Sequence, residues 1–385
     1  MKLRFDGFPF GSLPAFLEAL EHHRAHPEVS VAEHRKRVRS HLAKRSLRSH
    51  RVYVDTNHWT HLRDVHLGRV RDPRYTDMLD LLDELVDASI VVVPFSDQLA
   101  KEICHQADPQ TRRATAEVID RLTTGVTILG WRKRKVQEIF HWVAALLEVQ
   151  SPVPLDGVWA SLYEAFGLLD FEPTWPDKEL AAAFLKAVED LADHVGFRGI
   201  VDRFVYDSTI VEGWRALADE LTGYKSTIWN AQGTFDEIFQ EEALAYLDRA
   251  LADPTPELLE TLRRLPHGKD LEGKWIIANA KRAFIACENL ALHPTSLPSL
   301  RVIAGGHSRI RFDRNRRFKP GDGADLFHAA TAIPYCNVFI TDRSMRHLLT
   351  TPPTDFTKLY GCAILGSVDE AVQYLREVRL RVKTG

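Results

Sequence analysis

Short runs of β-branched and aromatic residues occur near both ends of this chain, and the long stretch between them has a helical pattern. The runs lie at residues 51–55, 90–94, 337–341 and 361–365, and a helical pattern follows each one. The second run continues as IVVVPF, and such an apolar run is typical of a parallel strand buried on both faces. From about residue 131 to 290 no strand stands out. The sequence therefore predicts one α/β sheet interrupted by helices.

With 385 residues, the chain is long enough for more than one domain. We predict four segments: a basic helical arm over residues 1–50, a first part of the α/β core over 51–130, an all-α insertion over 131–305 and a second part of the core over 306–385. Hydrophobic residues make up 45% and charged residues 27% of the chain, and its net charge is −3. These values are typical of a globular protein and exclude both a disordered chain and a uniformly basic one.

The sequence also indicates the cellular compartment of the protein. No apolar run approaches the ~18 residues of a membrane span, and the N-terminus lacks the apolar core of a secretory signal. The four cysteines form no CxxC pair: Cys104, Cys287, Cys336 and Cys362. We therefore expect a cytoplasmic protein with reduced thiols and no contact with a membrane.

Four acidic residues are placed to meet at one edge of the predicted sheet. Asp55 and Asp342 end or directly follow strands, Glu102 lies on the helix after the second strand, and Asp325 starts the helix before the third. Ligands of open α/β sheets bind at the carboxyl ends of the strands, so we expect these side chains to converge. Clustered anions need a counter-ion, and Mg²⁺ or Mn²⁺ prefers such oxygen ligands. Each acid has a structural alternative as a helix cap, first-turn acid or solvated charge.

The sequence around these acids resembles the PIN-domain nucleases, in particular the larger prokaryotic type with a helical insertion. The segments VYVDTNHW, PFSDQLAKEI, ADLFHAATA and VFITDRSM are similar to the four motifs of that family. The resemblance covers about residues 51–107 and 320–366. It implies a PIN-like parallel sheet flanked by helices, with the large all-α insertion and the N-terminal helical arm added to it.

The resemblance implies a metal-dependent endonuclease, with catalytic and metal-binding roles at four positions: Asp55, Glu102, Asp325 and Asp342. The expected reaction is phosphodiester hydrolysis by a water that one or two metal ions activate, leaving 5′-phosphate and 3′-hydroxyl ends. RNA is favoured over DNA as the substrate. Two alternatives stay open: a non-catalytic nucleic-acid-binding or protein-binding module on a degenerate PIN core, and a structure-selective DNA nuclease.

Five further residues are predicted to support the site by position: Asn57, Thr341, Asp322, His328 and Arg343. Asn57 is placed to bond a metal ligand or to fix the turn after the first strand. The hydroxyl of Thr341 is placed to orient a carboxylate or a water. Asp322 is either a helix cap or a fifth acid, His328 lies one helical turn beyond Asp325, and Arg343 is placed to contact a phosphate or pair with an acid.

Positive charge is concentrated in three segments, at residues 34–51, 131–135 and 309–319. The last, RIRFDRNRRFK, carries six Lys or Arg against one Asp, with two phenylalanines between them. We predict that its cations bind nucleic-acid phosphates: Arg309, Arg311, Arg314, Arg316, Arg317 and Lys319. The alternative is a solvated connector. The helical insertion offers a surface for a protein partner, and a homo-oligomer stays open.

Overall fold

The computed structural model describes residues 13–146, 155–167, 175–202, 209–227, 233–252 and 297–384. The first part contains α1 (Leu13–Ala25), α2 (Val31–Arg48), β1 (His50–Val54), α3 (Thr56–His66), α4 (Arg74–Asp87), β2 (Val91–Val92), α5 (Asp97–Cys104) and α6 (Pro109–Thr123). The middle contains β3 (Thr127–Ile128), α7 (Trp131–Leu146), a 3-10 turn (Leu155–Val158), β4 (Trp159–Ala160), α8 (Leu162–Ala165), α9 (Lys178–Val195), α10 (Arg198–Val201), α11 (Thr209–Thr227) and α12 (Phe235–Ala252). The last part contains α13 (Pro298–Phe312), α14 (Asp322–Ala332), β5 (Val338–Ile340), α15 (Arg343–Thr350), α16 (Phe356–Tyr360), β6 (Ala363–Leu365) and α17 (Val368–Thr384).

Four strands form one parallel sheet in the order β2–β1–β5–β6. Val54 at the end of β1 lies opposite Ile340 at the end of β5, and Ile340 lies opposite Leu365 of β6. The strands β1 and β5 are thus direct neighbours, although the helical block separates them along the chain. The predicted parallel α/β sheet flanked by helices is confirmed. The finer assignment to a PIN-like fold stays a prediction.

The sheet is covered by helices on both faces, which explains why its strands are apolar except for His50 and Arg51 at the start of β1. On β1, Val52 and Val54 face the core cluster formed with α3, α4 and α17, whereas Tyr53 faces the cluster formed with α13, α14 and α15. Alternate residues of a strand point to opposite faces of a sheet, so this strand contributes to both cores. The two cores together fix β1 at the centre of the fold.

The helical block departs from the prediction at one point, because β4 is a strand in a region expected to be all-α. It pairs antiparallel with β3, and Trp159 lies opposite Ile128. Trp159 is fully buried, so this short pairing covers a large apolar side chain. Residues 1–12 of the predicted arm and residues 253–296 of the predicted insertion lie outside the described ranges. The domain boundaries stay predictions.

Two expectations from composition concern the described helices and thiols. No helix among the described residues is long and apolar enough to cross a membrane. Cys104, Cys336 and Cys362 are buried free thiols, and Cys287 lies outside the described ranges.

Candidate active site

Asp55 directly follows β1, and Asp342 follows the neighbouring strand β5 after one intervening residue, Thr341. The ladder continues through Asp55, because its amide donates to the Ile340 carbonyl at 3.1 Å. Each carboxylate also caps the next helix: Asp55 Oδ1 accepts from the His58 amide at 3.3 Å, and Asp342 Oδ1 accepts from the Met345 amide at 2.9 Å. Each of the two aspartates therefore caps a helix and also lies at the edge of the sheet. Each cap uses Oδ1 and leaves Oδ2 as a donor atom for a cation.

Asp325 shows that all four predicted acids come together. It lies in the first turn of α14, and its pKa is raised to about 7 by burial and by the negative charges of Asp55, Glu102 and Asp342. Like charges raise the pKa of a carboxyl group only when they lie near it. The structure thus brings the carboxylates of four separate elements to one edge of the sheet.

His328 is hydrogen-bonded between the acids and the sheet. Its Nε2 lies 3.1 Å from Glu102 Oε1 and 3.2 Å from the Thr56 hydroxyl, and its Nδ1 lies 2.8 Å from the Tyr53 hydroxyl. The Tyr53 hydroxyl in turn lies 2.6 Å from Ser96 Oγ. This chain of contacts fixes the imidazole ring, and through it the Glu102 carboxylate.

His328 and the acids around it change one another's pKa values. Burial lowers the pKa of His328, but the Glu102 carboxylate and the nearby Asp55 raise it above its ordinary value. Burial acts to raise the pKa of Glu102, yet the charge and hydrogen bond of His328 lower it to about 2. Burial raises the pKa of Asp55, against the opposing effects of His58 and Thr341. The pairing of Glu102 with His328 therefore favours the ionised carboxylate and the protonated imidazole.

The donor atoms at this edge fit a hard divalent cation. They are carboxylate oxygens together with the Thr341 hydroxyl, which is buried beside Asp55 and makes no hydrogen bond of standard geometry to any described residue. Such an oxygen-only set suits Mg²⁺ or Mn²⁺. Within the described ranges, no three of the four acids bring oxygen atoms within 4.8 Å of one another. That spread suits ions that keep several waters.

The predicted supporting residues fall into two groups. Thr341 and His328 lie within the acid cluster, whereas Asn57 and Arg343 are exposed in the first turns of α3 and α15. The prediction of Asp322 as a helix cap is wrong, and its alternative role as a fifth acid stays a prediction. The residue before α14 that caps it is Gly321, and Asp322 instead accepts hydrogen bonds from Arg316 at 2.7 Å and from the Lys319 amide at 2.8 Å.

Part of the predicted nucleic-acid segment is internal structure rather than an open loop. Arg309 and Arg311 belong to the last turn of α13. The Arg311 side chain is 6% exposed and pairs with Glu242 at 2.7 Å and with Glu241 at 2.9 Å. The Arg316 side chain is 16% exposed because it pairs with Asp322. The phosphate-binding role predicted for Arg311 and Arg316 is therefore wrong, since their guanidinium groups already face acids.

Three cations of the segment do face solvent: Arg314, Arg317 and Lys319. Lys225 of α11 holds the backbone beneath them, because its Nζ donates to the carbonyls of Ile310, Asp313 and Arg316. One of the two phenylalanines, Phe318, is buried in the core. The segment leads directly into the helix that carries Asp325.

The other basic segments also contain structural cations. Arg134 of α7 is fully buried and donates to the Ser299 hydroxyl, the Leu129 carbonyl and the Thr331 hydroxyl. Arg39 of α2 pairs with Glu164. In each basic run, some side chains therefore make hydrogen bonds or ion pairs inside the protein and others face solvent.

Sequence reasoning missed several residues that hold the site together. Tyr53 and Thr56 bond His328, and Gln98 Nε2 donates to Glu102 Oε1 at 2.7 Å. His58 lies 3.0 Å from the Thr341 carbonyl and 2.9 Å from the Tyr75 hydroxyl, so it joins the ends of β1 and β5. The spacing of Gln98 four residues before Glu102 was a usable signal, because such residues share a helix face.

Comparison with known proteins gives no relative: no family model matches the chain, and neither the curated proteins nor the solved structures contain a match. The resemblance to PIN-domain nucleases therefore depends on the motifs quoted above, and membership of that family stays a prediction.

Proposed function

We propose that this protein is a metal-dependent endonuclease that hydrolyses phosphodiester bonds, with RNA as the substrate class. The observation that carries the proposal is the gathering of four carboxylates at the carboxyl edge of a parallel sheet. Burial, and after it the negative charges of Asp55, Glu102 and Asp342, raise the pKa of Asp325 to about 7. Leaving such repulsion uncompensated is costly, and a bound divalent cation removes it.

Four side chains would hold the ion or ions: Asp55, Glu102, Asp325 and Asp342. Mg²⁺ or Mn²⁺ bound there supplies an activated water and stabilises charge on the phosphate oxygens. The Thr341 hydroxyl, which lacks a partner of standard geometry among the described residues, is available to orient a ligand or a water. The helix caps made by Asp55 and Asp342 keep those two carboxylates fixed before substrate arrives.

His328 acts as a positioning residue. It holds Glu102 through a charged hydrogen bond and brings one positive charge among the acids. Tyr53 fixes the ring from the opposite side. This arrangement keeps Glu102 ionised at neutral pH, because its pKa is about 2.

The exposed cations beside the site suit a polyanionic substrate. Arg314, Arg317 and Lys319 precede α14, and Arg343 is exposed in the helix that Asp342 caps. Cations placed this way neutralise backbone phosphates without reading sequence. The choice of RNA comes from the family resemblance.

The decisive experiment compares the wild type with Asp342→Asn on labelled RNA and single-stranded DNA, with Mn²⁺, Mg²⁺ or EDTA. Asparagine caps helices as well as aspartate does, so the variant should fold. We expect RNA cleavage by the wild type with Mn²⁺ or Mg²⁺ and none with EDTA. Loss of several kcal/mol of charge stabilisation should reduce the rate of Asp342→Asn at least ~100-fold.

Asp108→Asn is the matched control. Asp108 also caps a helix, by accepting from the Thr111 amide at 2.7 Å, and it lies on the exposed surface. This variant should cleave like the wild type. Binding of nucleic acid without cleavage under every metal condition would instead support the non-catalytic module, and cleavage confined to branched DNA would support the structure-selective DNA nuclease.

A further inference from the structure

Apart from the carboxylate cluster, the structure joins two histidines and an aspartate from three helices. His23 lies in the last turn of α1 and His34 lies near the start of α2, and their ring centroids are 4.8 Å apart. Asp190 of α9 lies across from both. Its Oδ2 is 2.7 Å from His23 Nε2, and its Oδ1 is 2.9 Å from His34 Nε2. Within the described ranges, this is the group whose three ligand atoms all lie within 4.8 Å of one another.

The surroundings of this cluster resemble those of a binding site more than those of a surface ion pair. The His23 and His34 side chains are 7% and 13% exposed, whereas Asp190 is 37% exposed, so solvent reaches the cluster at the carboxylate. His34 Nε2 is buried and makes no hydrogen bond of standard geometry to any described residue, although Asp190 Oδ1 is close. This nitrogen becomes a metal ligand when its proton lies on Nδ1 or is released, because a ligating imidazole nitrogen must be deprotonated.

We infer that His23, His34 and Asp190 form a site for a transition-metal cation of the Zn²⁺ type. Two imidazole nitrogens and one carboxylate are a zinc-like donor set, and an open fourth position takes water. With bond lengths of about 2.0–2.2 Å, tetrahedral ligand atoms lie roughly 3.3 Å apart. The present nitrogen–oxygen distances of 2.7 and 2.9 Å need only a small side-chain adjustment to reach that spacing.

The position of the cluster indicates what a bound ion does. It joins α1, α2 and α9. Lys186 of α9 already bonds the loop between α1 and α2, because its Nζ donates to the His26 carbonyl at 3.2 Å and to the Val29 carbonyl at 2.8 Å. A cation there fastens the N-terminal helix pair to α9. Its role is structural, and it is independent of the proposed nuclease activity.

Zinc titration by calorimetry tests the site on the full-length chain carrying Asp55→Asn and Asp342→Asn, which removes competition from the carboxylate cluster. We expect one equivalent of Zn²⁺ to bind. Adding His34→Gln should weaken binding by at least the roughly 10–100-fold that loss of a ligand-supporting group costs. His22→Gln is the matched control, because His22 is exposed on the same segment, and it should leave the affinity unchanged. Equal affinities in the two variants, or no binding of Zn²⁺, would overturn the inference.

X-ray absorption at the zinc edge tests the same point without altering either histidine. The chain with the two Asp→Asn changes, loaded with one equivalent of Zn²⁺, should show scattering from two imidazole rings at about 2.0 Å. A spectrum without imidazole scattering would place the zinc elsewhere and reject the site, whatever the folding of the His34→Gln variant.

Discussion

The carboxylate cluster and the basic segment at residues 309–319 are neighbours that differ in how their charges are balanced. In the cluster, His328 is a buried base among four acids, so negative charge is in excess. In the segment, Arg311 faces Glu241 and Glu242, and Arg316 faces Asp322. The excess negative charge of the carboxylate cluster favours binding of a cation from outside the chain. The ion pairs of the basic segment instead stabilise the fold.

The largest effect expected from this contrast is on stability, in Arg311→Ala. The substitution removes the guanidinium that the buried Glu242 carboxylate faces, and breaking a buried ion pair from one side costs about 3–5 kcal/mol. Urea unfolding measures the loss. The control Arg314→Ala removes an exposed cation from the same segment and should change stability by less than about 0.5 kcal/mol. Equal losses in both variants would mean that the segment does not divide into internal and surface cations.

The carboxylate cluster should respond in the opposite direction, with Asp325→Asn more stable than the wild type in metal-free buffer. In the folded protein the pKa of Asp325 is about 7, above its ordinary value of 3.8. The folded state therefore keeps a proton that the unfolded chain releases, so stability falls as the pH rises from about 4 to 7. The asparagine side chain does not titrate, so Asp325→Asn removes this loss of stability. The free energy of unfolding at pH 8 should rise by an amount on the order of 2 kcal/mol.

Two measurements sharpen this prediction. The advantage of Asp325→Asn should shrink as the pH is lowered from 8 toward 4, which thermal unfolding at several pH values detects. Mn²⁺ should stabilise the wild type more than the variant, because the variant lacks one ligand. An advantage that is the same at pH 5 and pH 8 would show that Asp325 is not under electrostatic strain.

Binding of RNA should depend on the exposed cations of the basic segment. Replacing Arg314, Arg317 and Lys319 together with alanine should reduce the slope of log K against log salt by about 0.7 for each lost phosphate contact, or about 2 in total. The matched variant replaces three exposed cations of α2: Lys36, Lys44 and Arg48. If the slope falls only in the matched variant, the substrate path runs along α2 instead.

The smallest effect concerns the hydroxyl that orients His328. Tyr53→Phe keeps the buried ring and removes the hydroxyl that contacts both His328 and Ser96, at a cost of about 1 kcal/mol for each hydrogen bond. Cleavage should fall several-fold because the ring that holds Glu102 is less fixed. Tyr374→Phe is the control. It breaks a similar tyrosine–histidine contact of 2.9 Å, with His50 at the opposite end of β1. Equal cleavage rates in the two variants would show that Tyr53 has no positioning role.

The sheet and the placement of the acids were predictable because both follow from local signals. A continuous β-branched run at residues 90–95 gives a buried parallel strand, and an aspartate directly after a strand is carried to the edge of the sheet. Asp55 and Asp342 meet for that reason, however long the chain between them. The catalytic and metal-binding roles of these acids stay predictions.

Pairing between distant charges was not predictable, because a run of basic residues looks the same whether its partners are acids or solvent. Arg311 finds its acids on α12, and Arg134 finds hydroxyl groups on α13 and α14. The cluster of His23 with Asp190 spans 167 positions in sequence, and neither residue signals the other. The strand β4 has two residues, too few to show an alternating pattern.

The central place of β1 has a consequence for biosynthesis. This strand is synthesised well before its sheet neighbour β5 and the capping Asp342, because the helical block lies between them along the chain. Contacts between such distant segments cannot form until both have been synthesised. A nascent chain therefore carries the basic helix α2 while the acidic edge is still incomplete. On the proposed function, such a chain cannot cleave RNA before Asp342 has been synthesised.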